Sequence, residues 1–243
     1  MKSKLTKVLL LAVTAVALVV VSIMGTMAYL TSSAAVANSF SIGNVGIQMF
    51  ESQVNADGTK KDANEGANGT RKTSSGNVYN LVPAKTYVKD PTIYVNPSSE
   101  QSFLFVKIRN DIRAIEDQSK TMRSQLEANG WVEHHTNQNV IVYVYGTKNT
   151  ETGVITPTLI GGVEQEQQIK LFETFTIASN ADTSKYGGAR VSLVAYAIQQ
   201  SGFVDDSNGK AVDKAWAAIV QEYPYESGLT DTTTTTPTTP TAG

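Results

Sequence analysis

From Val8 to Phe50 the chain carries no Asp, Glu, Lys, Arg or Pro. Lys2, Lys4 and Lys7 precede this run, and Val8 to Met24 is apolar except for Thr14 and Ser22. A basic start followed by an apolar core is the pattern of a secretory signal. At about 17 residues and roughly 1.5 Å per residue, the apolar core is only just long enough to cross a bilayer. Two readings follow, a signal that is removed and an anchor that is retained. Thr26-Met27-Ala28 places small residues at the outer cleavage positions and predicts a cut between Ala28 and Tyr29, with Ala35-Val36-Ala37 as a second A-x-A site.

After Ala28 the run becomes small, hydroxylated and β-capable, still without charge. Exposed sheet edges are normally guarded by charges or prolines, so a bare strand is a sticky one. Its period is two, with a break in phase. Val36, Phe40 and Ile42 lie on even positions, whereas Val45, Ile47 and Met49 lie on odd ones. The face flips at Gly43-Asn44, which predicts a bend or bulge there and two halves serving two different sheets. This segment is either an ordinary first strand of its own domain or a strand donated to the next molecule. In the second case Leu30, Val36, Phe40 and Ile42 fill alternate pockets along an open edge.

Further along, Asn55 to Asn77 has turn signals at Asp57-Gly58 and Asn68-Gly69 and no hydrophobic period, and is predicted to be a surface loop. Leu81 to Val95 gives two extended pieces around Pro83 and Pro91, and Ser102 to Arg109 alternates as a half-buried strand. Asp111 to Gly130 turns helical, with Ile112, Ile115, Met122 and Leu126 on one face. Asn139 to Tyr145 and Val154 to Ile160 form a hairpin, and Ile169 to Ile177 and Arg190 to Gln199 are further strands, the last apolar on both faces and so central. Lys210 to Tyr223 is a second amphipathic helix, carrying Val212, Ala215, Trp216 and Ile219 on one face. Strands with long-range turns and two helices predict a mainly β sandwich.

Removing residues 1–28 takes away three lysines, so 20 basic and 22 acidic residues become 17 and 22, a formal charge of −5. That balance argues against nucleic acid as a partner. The chain has no cysteine, which excludes disulfides and thiolate metal sites. Four predicted parts result: a signal at 1–28, an N-terminal donor segment at 29–42, a sandwich at 43–230, and a Thr/Pro-rich tail at 231–243.

His134 and His135 are the only histidines. Neighbours in a strand face opposite ways and in a helix diverge by roughly 100°, so the two could not readily share a metal, and with no H-E-x-x-H spacing present the pair is expected to be solvated or partly packed. There is no G-x-S-x-G elbow for a serine hydrolase. Asp205-Asp206-Ser207-Asn208-Gly209 offers oxygen ligands for Ca²⁺, but its glycine falls one place early for a loop starting at Asp205, and a polar turn before the helix is the plainer reading. Tyr143, Tyr145, Tyr196 and Trp216 stand at core spacing rather than as a sugar platform. No catalytic residue, cofactor or metal is expected.

Three stretches resemble the TasA and camelysin family of secreted proteins. Ala28, Tyr29 and Thr31, followed by Asn38, Phe40, Ser41, Gly43 and Val45, are similar to that family's post-signal start and first strand. Leu81 to Ile108 resembles its L-x-P-G strand pair, with Ala84 in place of the glycine, and Leu171 to Trp216 is the nearest match. The resemblance implies a jelly-roll sandwich, removal of the signal by a SipW-type peptidase, and a subunit of extracellular biofilm matrix fibres in a Gram-positive-type bacterium. The partner is then another copy of the chain, added head-to-tail, with a matrix polysaccharide or accessory protein as further candidates. The alternatives are a camelysin-like surface metallopeptidase and a surface-anchored monomer that binds carbohydrate.

Overall fold

The structure is a computed structural model that describes residues 31–34, 36–62, 76–203 and 210–224. The signal with Ala28, Tyr29 and Leu30, the Asn68-Gly69 turn, the Asp205–Gly209 loop and the Thr/Pro tail lie outside the described residues.

The strands run, in chain order, β1 (Thr31–Ala34), β2 (Val36–Ile42), β3 (Ile47–Phe50), β4 (Asn77–Asn80), β5 (Thr86–Val88), β6 (Thr92–Val95) and β7 (Ser102–Asn110). A short helix α1 (Met122–Ala128) follows, then β8 (Trp131–Asn137), β9 (Val140–Lys148), β10 (Ile155–Pro157), β11 (Gln167–Lys170), β12 (Thr174–Thr176), β13 (Val191–Gln199) and helix α2 (Lys210–Glu222). The largest sheet has the order β10-β9-β7-β13-β2, with β8 also on β9. Its pairings are antiparallel except that of β2, which lies parallel to β13. Opposite it stand the sheet β11-β6-β3 and the pairs β12-β5 and β1-β4. The fold is a mainly β, jelly-roll-like sandwich with helices added.

Alternation along the central strands sorts their side chains into two cores. Leu104, Val106, Ile108, Tyr143, Leu193, Ala195 and Ala197 face the smaller sheets, together with Ile47, Met49, Tyr87, Ile93, Val95 and Phe175. Phe103, Phe105, Val142, Val144, Tyr196 and Ile198 face the other way, onto Val212, Ala215, Trp216 and Ile219 of α2. The central sheet is therefore buried on both faces. That corrects the half-buried reading of Ser102 to Arg109, whose Phe103 and Phe105 are covered by the helix. Burying each such side chain contributes about 1.5–3 kcal/mol, which is why α2 stays on the sheet.

The helix predicted over 111–130 divides into a 3₁₀ turn, Arg113–Ile115, and α1. Polar side chains between them satisfy the backbone instead of letting it continue as a helix. The Asp117 carboxylate accepts from the Ser119 N–H at 2.9 Å, the Glu116 carboxylate accepts from the Met122 N–H at 2.8 Å, and Thr121 caps Ser124. The apolar face survives the break, since Ile112, Ile115, Met122 and Leu126 are all buried. The single strand read over Ile169 to Ile177 is likewise two, because β11 pairs with β6 and β12 with β5.

Under the smaller sheets lies a charged pair taken wholly out of water. Lys89 Nζ stands 2.8 Å from Glu51 Oε2, and both side chains are fully buried. Asn77 donates to the second Glu51 oxygen at 2.8 Å and to the Ser52 carbonyl at 2.8 Å, while the Ser52 N–H and hydroxyl both donate to Asp90. A buried ion pair is tolerated only when its remaining hydrogen-bonding capacity is met in this way.

Candidate functional site

The uncharged segment lies at one end of the central sheet's strand order. Val36 pairs with Leu193 and Ser39 with Ala195, so β2 carries one extra residue between these pairs. Beyond this irregularity Phe40 pairs with Tyr196, Ser41 with Ala197 and Ile42 with Ile198. Phe40 stacks on Tyr196 with ring centroids 5.6 Å apart at 16°, and leans on Tyr223 at 4.7 Å. The Tyr223 hydroxyl donates to the Ser41 carbonyl at 3.1 Å, so the end of the helical layer reaches over the strand. Phe40 and Ile42 are half-buried against the core beneath α2. For Val36 only the backbone is described.

Gly43 and Asn44 stand where the chain leaves the central sheet for the β11-β6-β3 sheet. Gly43 has φ +93°, and a Cβ there would lie 2.5 Å from Gln199 Oε1. Only a residue without a side chain turns here at no cost. The Asn44 N–H approaches the same Gln199 oxygen at 3.4 Å, its carbonyl accepts from the Glu100 N–H at 2.9 Å, and the Ser39 hydroxyl donates across the turn to the Ile47 carbonyl at 2.8 Å.

The described part of the segment 29–42 pairs here with strands of the sandwich 43–230. β1 pairs antiparallel with β4, and β2 pairs with β13 of its own molecule. An uncharged strand tethered within reach of an edge meets it at a high effective concentration, so the nearest edge is its own. Phe40 belongs to the monomer's packing, and its replacement by lysine is expected to destabilise the monomer itself.

The histidine pair also departs from expectation. In β8, Glu133 pairs with Tyr143 but His135 with Val142, so His134 is an extra residue. Such a bulge abolishes the strict alternation of faces, and the two imidazole centroids lie 4.0 Å apart. Asp213, in the first turn of α2, places Oδ1 2.8 Å from His134 Nε2. The His134 side chain is only 4% exposed, whereas that of Asp213 is 68% exposed. Burial pushes the His134 imidazole below its ordinary pKa, and the Asp213 contact pulls the other way. Glu133 turns elsewhere, toward Arg123 at 3.0 Å. The sequence hid this cluster because neither the bulge nor the approach of a helix 79 residues downstream has a local signature.

No family model matches the chain, and no curated protein matches it. Among solved structures it is similar to the solution structure of CaCohA2 from Clostridium acetobutylicum, at 10% identity over 70% of this chain and 92% of that one, with a TM-score of 0.23. A superposition that loose carries no argument about function.

Proposed function

We propose that this chain is a secreted structural subunit that polymerises by exchange of its N-terminal strand into extracellular matrix fibres. The observation that carries the reading is the place of β2. It is an edge strand without charge or proline, joined by a glycine hinge to the sandwich that follows it, so that β2 and the β1 that precedes it leave as one piece. Leaving home, β2 exposes the β13 edge with Tyr196 beside it, and an identical strand from the next molecule fits that vacancy with the same register and the same Phe40 stack. Exchange of an identical element is a low-cost route to association, and a head-to-tail contact that does not close propagates into a fibre. Export by the N-terminal signal, with cleavage between Ala28 and Tyr29 by a SipW-type peptidase, supplies the free strand end.

Deletion of Tyr29 to Ala37 is expected to give folded protein that no longer elongates, seen as a single slow species in sedimentation and as empty fields by electron microscopy. Truncated protein that forms the same fibres as the full mature chain would end this reading.

A further inference from the structure

The bulge in β8 and the first turn of α2 bring three potential metal ligands together where strand and helix meet. We infer that His134, His135 and Asp213 form a binding site for a borderline divalent transition ion, Zn²⁺ foremost. One ligating atom from each of the three lies within 4.8 Å of the others. Three ligands sharing a tetrahedral Zn²⁺ at bond lengths of about 2.0–2.2 Å stand roughly 3.3 Å apart. His135 and Asp213 are exposed side chains, so small torsions bring them to that spacing. His134 supplies the fixed point, since its side chain is nearly enclosed and packs beside Phe105 at 6.0 Å.

One further observation points to a ligand. An open pocket lies against His134 and Asp213, walled by the loop 152–155 and Val212, and leaves room for water or another donor at a fourth position. The donor set selects the ion. Two imidazole nitrogens and one carboxylate suit Zn²⁺, with Ni²⁺ and Cu²⁺ binding the same set, whereas Ca²⁺ and Mg²⁺ take oxygen ligands. Bound there, the ion bridges β8 to α2 and fixes the helix at its first turn, the end opposite Tyr223. The site involves binding alone, and it stands or falls independently of the fibre reading.

The test is calorimetric titration of Zn²⁺ into the chain purified without a histidine tag, with melting temperature followed in parallel. One equivalent is expected to bind saturably and to raise the melting temperature with increasing Zn²⁺. Without metal, His135→Ala is expected to melt like the parent and Asp213→Asn slightly below it, since Asp213 contacts His134 from the first turn of α2, and each is expected to bind Zn²⁺ at least about tenfold more weakly. An excess of Ca²⁺ leaves binding unchanged. Absence of saturable uptake, equal affinity in both variants, or displacement of Zn²⁺ by Ca²⁺ would each overturn the site.

Discussion

Ala84 stands where the strand pair it resembles has glycine, and its φ is +60°. The backbone keeps the left-handed turn that glycine allows, and the methyl group bears a strain of about 1–2 kcal/mol. Ala84→Gly relieves that strain and gives back about 0.4–1 kcal/mol through a freer unfolded chain. A net gain of about 0.5–1 kcal/mol in urea unfolding is expected, and a loss would mean that the turn relaxes when the methyl is removed. Lys89 and Glu51 carry the opposite lesson. Nothing in the sequence marks these two among the 20 basic and 22 acidic residues as fully buried partners, because their meeting depends on strands 38 positions apart. Lys89→Met leaves the Glu51 charge buried beside Asn77 alone and is expected to cost about 3–5 kcal/mol. Adding Glu51→Leu is expected to recover part of the loss, and the double-mutant cycle reads the coupling directly.

At the level of elements, periodicity located the apolar faces well and the breaks poorly. Ile112, Ile115, Met122 and Leu126 are buried as their spacing predicts, yet a polar turn divides the segment that carries them. A hydrophobic pattern reports which side faces the core, whereas continuity depends on what side chains such as Asp117 and Glu116 do to the backbone. Strand β8 escaped because Trp131–Asn137 turns polar after its first residues, and half of its side chains have no core to face. Glu116 makes the joint between the two helical pieces sensitive to pH. Burial raises its pKa, against the hydrogen bonds from the Met122 N–H and Asn110. With the folded value above the unfolded one, the native state holds the proton more tightly. The stability this group contributes is present in full below the unfolded value of 4.5 and is lost as pH rises through the raised folded value. Melting curves of the parent and Glu116→Gln, taken from about pH 4 to about pH 7, are expected to differ in slope there, with the variant lacking this decline. Parallel slopes would show that Glu116 does not titrate differently on folding. Gly43→Ala acts on the bend itself. Its positive φ and the contact with Gln199 are expected to cost about 1–2 kcal/mol in denaturant unfolding, and no cost would mean that the bend is not held as described.

For the whole molecule, the sandwich and the covering helix were legible in the sequence because the central strands are apolar on both faces and α2 has one clean apolar side. The ownership of the first strand was not. An uncharged strand specifies that it must pair, and only topology specifies with whom. The structure gives the strand a partner at home, and the proposed fibre requires that it leave that partner for the same edge of a neighbour. The absence of cysteine makes this requirement testable with a single engineered bond. Ser41 and Ala197 are register partners on β2 and β13, close enough across adjacent strands for a disulfide to close. Ser41→Cys combined with Ala197→Cys, oxidised at low concentration and checked for an intramolecular bond, fastens β2 to its own subunit. Fibre growth followed by sedimentation and electron microscopy should stop in the oxidised protein and resume on reduction. Oxidised, internally bonded protein that elongates as fast as its reduced form would contradict strand exchange as the basis of assembly.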